Sequence, residues 1–192
     1  KREALFRPNE LNPTERRAVL HTALRTPCGD AAVDTAVADA LGRTLAIAAA
    51  IRSGHWTGAT GRAVHTVVHV GMGGSVLGPR LACEALGAGG RGPTVRFVDN
   101  IDGHALARVL AEVDAERTLF VIASKSFGTL ETREIGLSVR RWYAERGIHG
   151  DAFARHCIAV TANVDRARAF GIASDACLPM WDWVGGRDRK SV

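Results

Sequence analysis

The chain has 192 residues, 46% of them hydrophobic and 23% charged, a balance that excludes disordered and collagen-like classes. At roughly 150 residues per domain this is one domain, or one with an appendage, able to bury roughly 70% of the surface its unfolded form exposes. Its 25 basic and 20 acidic residues leave a formal charge of +5. That permits an anionic partner, but the basic residues are scattered singly and do not alternate with aromatics as a nucleic-acid surface requires, so no nucleic-acid partner is expected.

No apolar stretch approaches a membrane span, because even the richest run, 45–51, is closed by Arg43 and Arg52, and no membrane partner is expected. The first ten residues lack the apolar core of a signal peptide. Cys28, Cys83, Cys157 and Cys177 lie far apart with no C-x-x-C pair, which argues against a zinc cage and for reduced thiols in a cytoplasmic chain.

From Asp30, a candidate N-cap, apolar residues recur at Val33, Val37, Leu41, Leu45, Ala48 and Ile51, which predicts a long amphipathic helix ending near Ser53 and Gly54. A β-branched strand over 67–70 then meets a glycine turn and a helix over 77–86. A Gly-rich loop follows over 87–92. The alternation continues with strands over 94–98, 118–123 and 157–161 and helices over 104–112, 129–145 and 164–170. Apolar strands separated by helices predict an α/β class, a doubly wound parallel sheet flanked by helices. The expected organisation is a helical lead-in over 1–60 and an α/β domain over 61–192.

In an open parallel sheet, ligands bind beyond the carboxyl ends of the strands. Two such loops carry chemistry. Gly71-Met72-Gly73-Gly74-Ser75 lacks Cβ atoms where a backbone must approach an anion at a helix start, and Ser75 adds a hydroxyl. Ser124-Lys125-Ser126-Phe127-Gly128-Thr129 offers three hydroxyls and an ammonium beside another helix start, a nest for a phosphate dianion. Taken singly, the glycines make a turn and the hydroxyls a cap; together at one sheet edge they point to phosphate.

Other motifs fail on spacing. A dinucleotide loop needs a third small residue where Val76 stands, although Asp99 follows the second strand as that motif asks. No Walker A lysine occurs, and Val76-Leu77 after Ser75 breaks the nucleophile elbow. His65 and His69, four apart, have no evident third partner and read as strand-end histidines rather than metal ligands. Glu131 and Glu134 read as helix-start acids rather than catalytic bases.

Six blocks make the chain resemble the glucose-6-phosphate isomerase, or phosphoglucose isomerase, family. The block from Leu11 to His21 is similar to N/F-x-T-E-x-R-A-V-L-H. Those from Val70 to Pro79 and from Phe97 to Gly103 are similar to I-G-I-G-G-S-D-L-G-P and F-V-S-N-V-D-G. The blocks from Ser124 to Thr132, Ala169 to Ile172 and Trp181 to Arg187 are similar to S-K-T-F-T-T-x-E-T, E-F-G-I and W-D-W-V-G-G-R.

The resemblance implies an aldose-ketose isomerase of glycolysis and gluconeogenesis that interconverts glucose 6-phosphate and fructose 6-phosphate. Its partner is a small-molecule sugar phosphate, and it needs neither a metal nor an organic cofactor. It implies that Ser75, Ser124, Lys125, Ser126 and Thr129 hold the phosphate, that Gly74 allows close approach, and that Arg187 stabilises the developing enediolate. The family is homodimeric; the oligomeric state of this chain stays open.

The chain departs from the pattern at Val76 for Asp, Ser126 for Thr and Gly128 for Thr, and from Asp188 to Val192 the similarity breaks off. The family's glutamate base, ring-opening histidine and late lysine lie in sequence beyond that point. The expectation is a partial, truncated or frameshifted enzyme that carries the phosphate site without the base and is inactive alone. The alternative is a catalytically inactive phosphosugar-binding module.

Overall fold

Four aliphatic and β-branched runs become the strands of a sheet in a computed structural model that describes residues 18, 20–87 and 92–185. They are β1 (Thr66–Gly71), β2 (Thr94–Val98), β3 (Thr118–Ala123) and β4 (Cys157–Thr161), joined by a three-residue β5 (Cys177–Pro179). All pairings are parallel, in the order β2-β1-β3-β4-β5. The helices are α1 (Ala31–Arg52), α2 (Gly74–Leu86), α3 (Gly103–Ala111), α4 (Leu130–Ala144), α5 (Asp151–Ala154) and α6 (Val164–Phe170). The α/β class expected from the alternation is what forms.

The strand order sets the position of the site. The chain moves from β1 outward to β2, then returns past β1 to β3, so the winding reverses between β1 and β3. A crevice opens at such a reversal, outside the carboxyl ends of the two strands. Gly71 pairs with Ala123 in register, so the loops after β1 and β3 leave the sheet side by side.

The central strands are buried on both faces. Val68, Val70, Leu119, Phe120, Cys157 and Ala159 are all at 0% exposure, whereas edge strand β2 leaves Thr94, Val95 and Arg96 exposed. Helix α4 covers one face with Thr132, Ile135, Gly136, Val139, Trp142 and Tyr143 buried, a helical stripe of three and four. Each large apolar side chain of that stripe contributes about 1.5–3 kcal/mol by burial.

Helix α1 begins where expected: Asp30 Oδ1 accepts from the amides of Ala32 (2.9 Å) and Val33 (3.2 Å). Its apolar residues do not form the single buried stripe that their spacing suggests. A strict repeat of four advances about 40° per step around a helix of 3.6 residues per turn. The row from Val33 therefore rotates off the protein, leaving Leu41 57% and Leu45 56% exposed, while Ile47 and Ile51 pack against the core. Arg43 Nη2 ties the helix to the far edge of the sheet, donating to the Cys177 carbonyl at 2.8 Å.

Helix α2 starts at Gly74, three residues ahead of the expected 77, because Gly73 at φ 54° makes the turn. Most of the Gly-rich loop, 88–91, and residues 1–17 of the expected lead-in lie outside the described residues.

Candidate functional site

The loop after β1 is built around a proline. Pro79 lies inside α2 and has no N–H, so the carbonyl four residues earlier, that of Ser75, loses its helical donor. His69 on β1 supplies the replacement: its Nε2 lies 2.7 Å from the Ser75 carbonyl oxygen. A carbonyl only accepts, so the ring carries its hydrogen on Nε2. Burial pushes the His69 pKa below the ordinary histidine value, the Ser75 bond pulling the other way. A Cβ on Gly71 would lie 2.7 Å from the same carbonyl oxygen, which is why glycine stands there.

His65 and His69 stand in separate surroundings. His65 lies exposed ahead of β1, and its amide donates to the Arg117 carbonyl at 2.8 Å. Among the described residues no group of three His, Cys, Asp or Glu side chains is placed to hold a metal. Asp99 is ion-paired with Arg80 at 2.9 Å, and Val76 is buried in α2 at 3% exposure.

The loop after β3 is held by its neighbours. The Lys125 carbonyl accepts from the Ala162 amide (2.9 Å) and the Thr161 hydroxyl (3.1 Å). The Ser124 amide donates to the Val160 carbonyl at 3.0 Å. Phe127 sits at φ 46°, a left-handed conformation that costs a non-glycine residue about 1–2 kcal/mol. Its ring packs edge-on against Phe170 of α6, with centroids 5.9 Å apart.

These two loops face one cavity of about 430 Å³, and Gly74, Ser75, Ser124, Lys125, Ser126 and Thr129 all line it. Ser124 is buried, Lys125 and Ser75 are half-buried, and Ser126 and Thr129 are exposed at the mouth. The Thr129 hydroxyl donates to Thr132 Oγ1 at 2.8 Å. Lys125 Nζ donates to the carbonyls of Asp182 and Val184, the latter at 3.1 Å, and lies 3.7 Å from Asp182 Oδ1.

Residues 180–185 form a wall that sequence reasoning missed: Met180, Asp182, Val184 and Gly185 line the cavity, as do Met72 and Thr132. The block from Trp181 to Arg187 was conspicuous in the sequence, and its aspartate and glycines next to tryptophans were the available signal. The indoles of Trp181 and Trp183 stack with centroids 4.9 Å apart and planes 13° from parallel. Arg187 lies outside the described residues. Glu131 and Glu134 are exposed on α4 and do not line the cavity. Chemically the cavity offers hydroxyl donors and one ammonium at a sheet reversal, suited to a compact oxyanion.

The sequence profile described as phosphoglucose isomerase matches residues 1–191. Glucose-6-phosphate isomerase 1 of Cupriavidus pinatubonensis is 44% identical over 198 residues, spanning 97% of this chain and 36% of that protein. The glucose-6-phosphate isomerase of Burkholderia lata is 45% identical over 188 residues, spanning 97% and 35%. Among solved structures, a glucose-6-phosphate isomerase from Chlamydia trachomatis is similar with a TM-score of 0.71 at 32% identity, covering 90% of this chain and 32% of that one. A hypothetical protein from Thermus thermophilus has a TM-score of 0.58 at 26% identity, covering 75% and 33%. The chain spans about a third of the length of the curated relatives it matches.

Proposed function

The chain belongs to the phosphoglucose isomerase family, and from that premise we propose that it is the phosphate-gripping part of an enzyme interconverting glucose 6-phosphate and fructose 6-phosphate. Ser75, Ser124, Lys125, Ser126 and Thr129 hold the phosphate, and Gly74 lets the ester approach the backbone. The family resemblance gives Arg187 the role of stabilising, through its guanidinium, the enediolate that forms as a proton moves between C2 and C1.

One observation carries this reading: hydroxyls from the start of α2 and from the loop after β3 converge with the Lys125 ammonium on one cavity. The ionisable side chains of the described lining are Lys125 and Asp182. Asp182 leans on the Lys125 ammonium, so we assign it to the anchor and not to proton abstraction. On this reading the 192-residue polypeptide binds sugar phosphate without turning it over, and isomerisation draws its base from outside the described lining.

Calorimetric titration of the polypeptide with fructose 6-phosphate, alongside a coupled isomerisation assay, tests both halves. Lys125→Ala removes a charge-assisted contact worth about 1.5–3 kcal/mol, a loss of roughly 10- to 150-fold in affinity. Equal affinity of wild type and Lys125→Ala would overturn the anchor. Robust turnover by the polypeptide would overturn the division between binding and chemistry.

A further inference from the structure

Resting on the reading above only for the identity of the anion, the geometry points to Arg166 as a positioning residue of the 124–129 loop, coupled to the absence of a side chain at Gly128. Arg166 and Phe170 lie four apart on α6, so they share one face, and that face meets the back of the loop. The Phe170 ring meets Phe127, the non-glycine residue at positive φ. One turn away, Arg166 Nη1 donates to the Ser126 carbonyl at 3.3 Å.

The guanidinium reaches that carbonyl because Gly128 leaves room. A Cβ at 128 would come within 3.0 Å of Arg166 Nη1, closer than real Cβ atoms approach, so the guanidinium occupies the space a side chain would take. Where the related motif has threonine, this chain has glycine and an arginine reaching across from another helix.

Helix α6 is itself tied to the loop. Asn163 Oδ1 accepts from the Arg166 amide at 3.0 Å, and the Asn163 amide donates to Thr161 Oγ1 at 3.0 Å. That same hydroxyl donates to the Lys125 carbonyl. The loop is therefore gripped from behind, at the 125 and 126 carbonyls by Thr161 and Arg166 and at the Phe127 ring by Phe170, while Lys125 and Ser126 line the cavity in front. Arg166 does not line that cavity, so it acts through Ser126.

A double-mutant cycle read by fructose 6-phosphate affinity, with amide hydrogen exchange over 126–128 as a second readout, tests the assignment. Arg166 is exposed, so its removal leaves the fold intact and the thermal midpoint near wild type. Arg166→Ala weakens binding roughly three- to tenfold and speeds exchange at 126–128, and Arg166→Lys recovers part of both. Gly128→Thr displaces the guanidinium and weakens binding similarly, whereas Gly128→Thr with Arg166→Ala is no weaker than the worse single variant.

Additive losses, or an Arg166→Ala protein that matches wild type in affinity and exchange, overturn the positioning role. If wild type and Lys125→Ala both fail to bind fructose 6-phosphate, the phosphate reading fails on its own. The exchange rates then still decide whether Arg166 holds the loop.

Discussion

Tyr143 and His156 donate to one acceptor, the Thr118 carbonyl oxygen, the hydroxyl and Nδ1 each at 2.8 Å. The other imidazole nitrogen, Nε2, accepts from the Ala59 amide at 2.8 Å, which fixes the ring as the neutral Nδ1–H tautomer. A helix, a strand, the turn before β4 and the loop before β1 thus meet at one buried ring. Because His156 continues to satisfy the carbonyl, Tyr143→Phe should cost only about 1 kcal/mol. A lower urea midpoint at unchanged m is the expected result, and an unchanged midpoint would show that the hydroxyl contributes nothing net.

The same ring makes stability depend on pH. Burial pushes the His156 pKa below the ordinary 6.5, opposed by the Thr118 bond and then by Glu116, and His69 is lowered in the same sense. A second hydrogen on His156 would point at the Ala59 N–H, donor against donor. The unfolded chain then binds more protons than the folded one between the lowered values and 6.5, so the unfolding free energy rises with pH across that window. Stability is complete above about pH 6.5 and falls as the solution is acidified. His156→Gln should flatten the slope of unfolding free energy between mildly acidic and neutral pH; an equally steep slope in the variant would assign the effect elsewhere.

At the start of α2, His69 and Pro79 form a compensating pair. His69→Leu strips the Ser75 carbonyl of its donor, and Pro79 cannot replace it, so an unsatisfied acceptor costing about 1–3 kcal/mol remains. Adding Pro79→Ala restores a helical N–H four residues on. The double variant should recover part of the stability lost by His69→Leu and part of its fructose 6-phosphate affinity. Recovery of neither would mean that the Ser75 carbonyl does not need the histidine.

β1 to β4 were legible as β-branched and aliphatic runs between helical segments, the central ones buried on both faces. β5 was not, since three residues ending in Pro179 carry no such run, and α5 is a single turn. Spacing alone misjudged α1, where a repeat of four resembles a stripe until its drift is followed over three turns. Within the site, the glycines and hydroxyls announced themselves because they follow strands. Thr132, Met180 and Asp182 did not, because only the sheet reversal and the path after β5 bring them to the cavity. Arg166 is one arginine among many in sequence, and its reach to Ser126 exists only once α6 is docked.

Lys125 joins the 124–129 loop to the wall at 180–185, and the stacked indoles on either side of Asp182 report that connection. Two indoles 4.9 Å apart and nearly parallel couple their transitions and give a circular-dichroism couplet. Lys125→Ala removes the donor to the Asp182 and Val184 carbonyls, so the couplet should weaken without ligand. The fold should lose at most about 1 kcal/mol, as this ion pair is partly solvated. Ser126→Ala is the matched control, since it removes a cavity hydroxyl and leaves the tether: binding should fall while the couplet persists. A couplet equally strong in Lys125→Ala would mean that residues 181–185 hold their course without the lysine, and would confine Lys125 to the anion.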